Sequence, residues 1–317
     1  IKTGPDGAIY IADFYEAKIQ HLQHFGGEID KSNGRVYRLK SADTRPVQPF
    51  DLAKLSTPDL IEYLKHPNKW YRQTVQRLLG DRVDRSIVPT LEQWLDEGDP
   101  QLALESLWGI HLSGGFNDRI VLKALHHTDA NVRSWAVRLI CDNRTVSPVV
   151  TKTLAELAAT EPDVHVRVQL AASAKRLPAA SSLPIVANLA THDEDNVDLH
   201  VPLLLWWAIE DKAESNREAV VELFRDSTFW NREIVKSTLI ERVMRRYALA
   251  GTRTDLLTCA ELLKLSPSPE ATDLLIAGFE TAFKGRSLAE LPTELAQALS
   301  ETGRSSPILD LRQGKPE

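Results

Sequence analysis

The chain has 317 residues, 43% hydrophobic and 26% charged, with a formal net charge of −6; this is the make-up of an ordinary globular protein of one to three domains. With a pI near 5.9 it offers no basic field to a phosphate backbone, which argues against a nucleic-acid partner. No run of about 18 apolar residues occurs, so no membrane span is expected.

The first forty residues differ from everything after them. Gly4-Pro5-Asp6-Gly7 reads as a tight turn, Ala8 to Tyr15 as an alternating strand, and Gly34-Arg35-Val36-Tyr37-Arg38-Leu39 as a second strand. Two such strands do not make a stable sheet alone, so residues 1–40 are expected to be the edge of a larger β-domain. The chain opens on Ile1, has Met244 as its single methionine and ends on Gly314-Lys315-Pro316-Glu317. It is therefore expected to be an internal piece of a longer protein. Residues 41–56 read as a linker.

From Thr57 the pattern is helical and repeats. An N-cap residue, three intervening residues and an arginine recur as Asn68 to Arg72, Asp129 to Arg133 and Asp163 to Arg167, while Asp99 keeps the cap but is followed by Ala103. The anchors at 72, 103, 133 and 167 are 31, 30 and 34 residues apart, and Arg232 is expected to continue the series. Around the arginines, Tyr71-Val75-Leu79, Val132-Ala136-Ile140 and Val166-Leu170-Ala174 each stack on one helix face. Shorter amphipathic partners precede them, at Leu60-Ile61-Leu64, Ile120-Val121-Leu125 and Val150-Leu154-Leu157. Thr57-Pro58, Asp99-Pro100, Ser147-Pro148 and Ser268-Pro269 each place a capping side chain before a proline at the first helical position. A two-helix unit of this size cannot bury its own apolar face, so about seven pairs between Leu52 and Gly285 are expected to stack as an α-solenoid over residues 57–302. Residues 303–317 read as a C-terminal segment leading onward.

This pattern resembles HEAT-type repeats. The resemblance implies that Asp129, Asp163, Arg72, Arg133 and Arg167 form a structural ladder between repeats; an anion-binding arginine stripe is the competing reading.

The series Gly-Pro-Asp-Gly, Ala12-Asp13-Phe14-Tyr15, Ile19-Gln20-His21 and Gly34-Arg35-Val36-Tyr37-Arg38 resembles the last propeller blade of the membrane-bound dehydrogenase-like proteins of planctomycete and verrucomicrobial type, relatives of glucose/sorbosone dehydrogenases. In that family a six-bladed propeller precedes HEAT-like repeats and often a c-type cytochrome. The resemblance implies a periplasmic or cell-surface parent acting on sugars or polyols, with c-type haem and with a quinone or metal in its propeller. It implies no cofactor within this chain. The implied partners are the propeller and cytochrome domains of the same protein, and a further protein on the concave face of the solenoid. The loop Gly26 to Asn33 departs from the family by lacking its Pro/Arg/Asp-rich run, and no C-x-x-C-H motif is present.

Individual residues carry weaker signals. Asp13 at a strand end, with Tyr15 beside it, is either a propeller-face contact for a cation or sugar hydroxyl, or a loop cap. His21 and His24 share the spacing of two ligands on one helical turn, with Glu28 or Asp30 as a third, or are ordinary loop histidines. His126-His127 sits where imidazoles satisfy helix-end carbonyls. Trp206-Trp207 is expected to send one ring into the core and the other outward. Asp193-Glu194-Asp195-Asn196 reads as a solvated turn. Cys141 and Cys259 read as buried free thiols. No catalytic motif occurs. The expected role is a structural and docking segment of the dehydrogenase-like parent, itself inactive; the alternative is an interaction scaffold with no enzymatic role.

Overall fold

The computed structural model describes residues 1–13, 34–42, 47–284 and 291–304. The protein is mainly helical with one small antiparallel sheet, and it divides into two compact units, Ile1–Phe116 and Asn117–Glu317.

In the first unit the Gly-Pro-Asp-Gly turn closes through Gly4 N–H to Ala8 O at 2.8 Å and Gly7 N–H to Gly4 O at 3.1 Å. Gly7 takes φ +76°, a conformation that costs a residue without Cβ little. The turn joins β1 (Lys2–Thr3) to β2 (Ile9–Ala12), and β3 (Val36–Leu39) flanks β2 on its other edge. All pairs are antiparallel, with Lys2 opposite Tyr10 and Tyr10 opposite Arg38. The strand β1 was not foreseen: two residues are too few to show alternation.

Four helices complete this unit: α1 (Thr57–Ile61), extended by a 3₁₀ turn to Lys65, α2 (Lys69–Arg82), α3 (Val88–Glu97) and α4 (Pro100–Leu112). The helix α2 packs on α4, and α3 on α4. The cap of α1 is Ser56, one residue earlier than expected; its Oγ accepts from Asp59 N–H, and Pro58 takes the second helical position. Asp99, Ser147 and Ser268 cap as expected, each directly before its proline. Tyr71, Val75 and Leu79 are buried along α2.

The second unit holds α5 (Asp118–Leu125), α6 (Ala130–Cys141), α7 (Pro148–Thr160), α8 (Val164–Ala174), α9 (Ala179–Leu189), α10 (Val201–Lys212), α11 (Arg217–Leu223), α12 (Ile240–Ala250), α13 (Arg253–Leu265), α14 (Pro269–Phe283) and α15 (Thr293–Glu301). Odd-numbered helices pack on odd: α5 on α7, α7 on α9, α9 on α11 and α13 on α15. Even pack on even: α6 on α8, α8 on α10, α10 on α12 and α12 on α14. Buried apolar residues fill the space between the two rows, with Val132, Ala136, Val166, Leu170 and Ala174 fully enclosed; Ile140 is only half-buried, and Leu139 takes the buried position beside it.

The period loosens before α12. Val235–Leu239 is π-helical, which admits an extra residue per turn. Arg232 consequently precedes its helix, with its carbonyl accepting from Val235 and Lys236 N–H, and does not sit one turn inside it as the other arginines do.

Candidate functional site

Arg72, Arg133 and Arg167 tie back to the turn before their helix with the same pair of bonds. Each lies one turn inside its helix, where the side chain reaches back over the cap. Arg133 Nη1 donates to the His127 and Thr128 carbonyls, both at 2.9 Å. Arg167 Nη1 donates to Glu161 O and Pro162 O at 2.9 Å, and Arg72 Nη1 to His66 O at 2.8 Å and Pro67 O at 2.9 Å. The helix and the turn that enters it are thereby tied together.

The rest of each guanidinium faces the next helix pair. Arg133 binds Glu161 in a fork, Nε to Oε2 at 2.8 Å and Nη2 to Oε1 at 2.5 Å. Arg167 does the same to Asp195, at 2.6 and 2.5 Å, and Arg72 donates through Nε to Glu105 at 2.9 Å. These acids are sealed: side-chain exposure is 0% for Glu161, 3% for Asp195 and 5% for Glu105. The bidentate, enclosed contacts of Arg133 and Arg167 have a fixed geometry. Hydrogen bonding to Glu161 and to Asp195 raises the arginines Arg133 and Arg167 above their ordinary values, against the effect of burial.

Asp129 and Asp163 do not meet the arginines. Their carboxylates accept from N–H groups of their own helices: Asn131 and Val132 for Asp129, His165 and Val166 for Asp163. The acid partners were not singled out in the sequence, yet a signal exists: Glu105, Glu161 and Asp195 follow their arginines by 33, 28 and 28 residues. Asp195 belongs to the run read as a solvated turn. In the structure it is 2% exposed, while Asp193 accepts from Glu233 N–H at 3.0 Å.

A second recurring contact lies two residues before each cap. His66 Nδ1 accepts from Asn68 N–H at 2.9 Å, His127 Nδ1 from Asp129 N–H at 3.0 Å, and Glu161 Oε1 from Asp163 N–H at 3.0 Å. His126 Nδ1 contacts the Leu122 carbonyl at 2.7 Å, at the end of α5.

In the first unit Asp6 gathers the turn. Its carboxylate accepts from Ala8 N–H at 3.1 Å and Tyr10 OH at 3.4 Å, and pairs with Arg38. Asn68 holds the same turn from α2: its Nδ2 donates to Gly4 O at 2.9 Å while its Oδ1 caps α2 through Trp70 N–H. Burial pushes the Asp6 carboxyl up, but the Ala8 N–H and the Arg38 guanidinium outweigh it and hold the group below its ordinary value. A depressed carboxylate stabilises the fold above its unfolded value, near pH 3.9, and that contribution disappears as pH falls through the folded value. The Ala8 amide proton should therefore titrate by NMR with a midpoint below about pH 3.9; a midpoint at or above that value would contradict the contact.

Asp13 follows β2, and its N–H donates to Arg35 O at 2.8 Å. Tyr15, His21 and His24 lie outside the described residues. Trp206 is 6% exposed and Trp207 44%. Cys141 and Cys259 are buried free thiols; burial pushes Cys141 up to about 12 and Cys259 up as well, so both stay protonated and unreactive. Among the described residues no group of three or more His, Cys, Asp or Glu could hold a metal ion, and no helix is long and apolar enough to cross a membrane.

Such an arrangement can bind one helix pair to the next; the clamp groups face each other and the backbone. Comparison with protein-family models and with curated proteins found no match for this chain.

Proposed function

We propose that this chain is a structural and docking segment: a HEAT-like α-solenoid whose helix pairs stack in two rows and hold other parts of a protein in place. The observation that carries this reading is the clamp, built with the same bonds at Arg72, Arg133 and Arg167. A repeated tie from one helix pair to the next is what a fold with neighbour-only contacts requires. The odd-on-odd and even-on-even packing of α5 to α15 supports it.

The opening sheet supports a wider reading. All four residues of β3 are exposed, Val36 at 72% and Leu39 at 61%, and three short strands gain little stability without a packing partner. With the resemblance of the Gly-Pro-Asp-Gly to Gly-Arg-Val-Tyr-Arg series, this favours a dehydrogenase-like, exported protein acting on sugars or polyols. Its propeller would carry the quinone or metal, its cytochrome the c-type haem, and it would work in the periplasm or at the cell surface. The alternative, an interaction scaffold with no tie to an enzyme, is favoured by the exposed Trp207 on α10.

Oxidation assays separate these from a catalytic role. The purified chain is expected to turn over no aldose or polyol with a dye acceptor, whether or not quinone or haem is added. Sustained turnover would contradict the proposal.

A further inference from the structure

The even-numbered helices α6, α8, α10 and α12 lie side by side, and their core positions recur in register as the buried pairs Ala136-Val137, Leu170-Ala171, Leu205-Trp206 and Val243-Met244. The residue that follows each pair, and the two that precede it, point away from the core on every one of these helices; none of them is buried. Together they form one surface across four neighbours.

Its chemistry is ordered. The middle, on α8 and α10, is apolar apart from Gln169: Val168 and Ala172, then Leu203 at 38% and Trp207 at 44% exposure. Arginine stands on either side. On α6 the Arg138 guanidinium lies 5.0 Å over the Trp135 ring, and on α12 come Arg242 and Arg245. Arg245 pairs with Glu241 at 3.2 Å. Arg138 and Arg242 have no carboxylate partner among the described residues. In a chain whose net charge is −6, two uncompensated arginines bracketing an exposed tryptophan are a local reversal of sign. Tryptophan and arginine are also the side chains that contribute most at protein interfaces.

We propose that this surface is a docking site for an acidic protein segment whose apolar side chains seat on Leu203 and Trp207 and whose carboxylates meet Arg138 and Arg242. The proposal rests on the stacked-repeat reading above and adds the kind of partner. Complementary charge sets register and association rate, while the aromatic contact sets lifetime.

Fluorescence anisotropy with two short dye-labelled synthetic peptides tests it on the whole chain. Both peptides carry the same Leu/Phe centre, one flanked by Asp and Glu, the other by Lys. The acidic peptide is expected to bind, more weakly as salt is raised. Trp207→Ala should weaken it about tenfold, and the Arg138→Glu/Arg242→Glu pair at least as much, with the circular dichroism unchanged. All these positions are solvent-facing, so the variants should fold. Equal or tighter binding of the Lys-flanked peptide, no binding of either, or insensitivity to Trp207→Ala would overturn the proposal. So would a single-stranded oligonucleotide or a second copy of the chain that takes the same surface. Failure here, with the clamp and repeat-deletion results described below intact, would remove the docking site and leave the repeat reading standing.

Discussion

Glu161→Ala is expected to destabilise the unit that contains it by about 3–5 kcal/mol, the range for removing one partner of an enclosed ion pair. The Glu161 side chain is fully buried and Arg133 nearly so, at 12%. The carboxylate accepts both forks of Arg133 and also the Asp163 N–H. Alanine would leave a nearly buried guanidinium without the carboxylate it is hydrogen-bonded to, and a cap N–H without its acceptor. Urea unfolding should show a lower midpoint with an unchanged slope, the sign of lost stability without a change in compactness. The double variant Arg133→Met/Glu161→Leu should recover much of the loss, because apolar replacement leaves no charge unpaired. A loss under about 1 kcal/mol for the single variant, typical of a solvent-exposed pair, would show that the clamp contributes little.

Gly278→Ala is expected to cost about 3 kcal/mol, the upper end for overpacking. A Cβ at this position of α14 would stand 2.3 Å from the Glu241 carbonyl oxygen and 3.3 Å from Arg245 N, both backbone atoms of α12. The two helices would have to separate. Gly109→Ala is the control: its Cβ would meet Leu91 Cδ1 at 2.9 Å, a methyl that can rotate aside. There the gain in helix propensity, about 1 kcal/mol, offsets the crowding. Equal midpoints for the two variants in thermal or urea unfolding would refute the close approach of α12 and α14.

Local signals were legible in the sequence and distant ones were not. The caps at Asn68, Asp99, Asp129 and Asp163 act within three residues, so the residue types at those spacings reveal them. The arginine one turn later recurs often enough to be read as an anchor. Its acid partner lies about a repeat away, in a turn whose composition looks solvated, and Asp195 was misread for that reason. Pro58 drew the first cap one residue too far along, because proline favours the first helical position but is tolerated anywhere in the first turn, and here it takes the second. Arg232 fell out of step because a π-helical turn leaves no mark in residue types. The alternation of Trp206 and Trp207 followed from adjacent helical positions pointing apart. Asp6 as the centre of the opening turn was within reach: an aspartate in a tight turn commonly accepts from the backbone N–H two residues on, here that of Ala8. Its pairing with Arg38 depended on strand register, which the turn alone does not set.

Excision of one whole helix pair tests the stacked-repeat account most directly. Deleting Asp129–Pro162 joins Thr128 to Asp163, which places Arg167 over the His127 and Thr128 carbonyls that Arg133 now holds, and gives Asp163 the His127 acceptor that Asp129 now uses. If each pair touches only its neighbours, the shortened chain should keep its helicity per residue and unfold in a cooperative transition. Loss of helical circular dichroism, or a chain that no longer melts cooperatively, would mean that the helices close on one another as a single indivisible core.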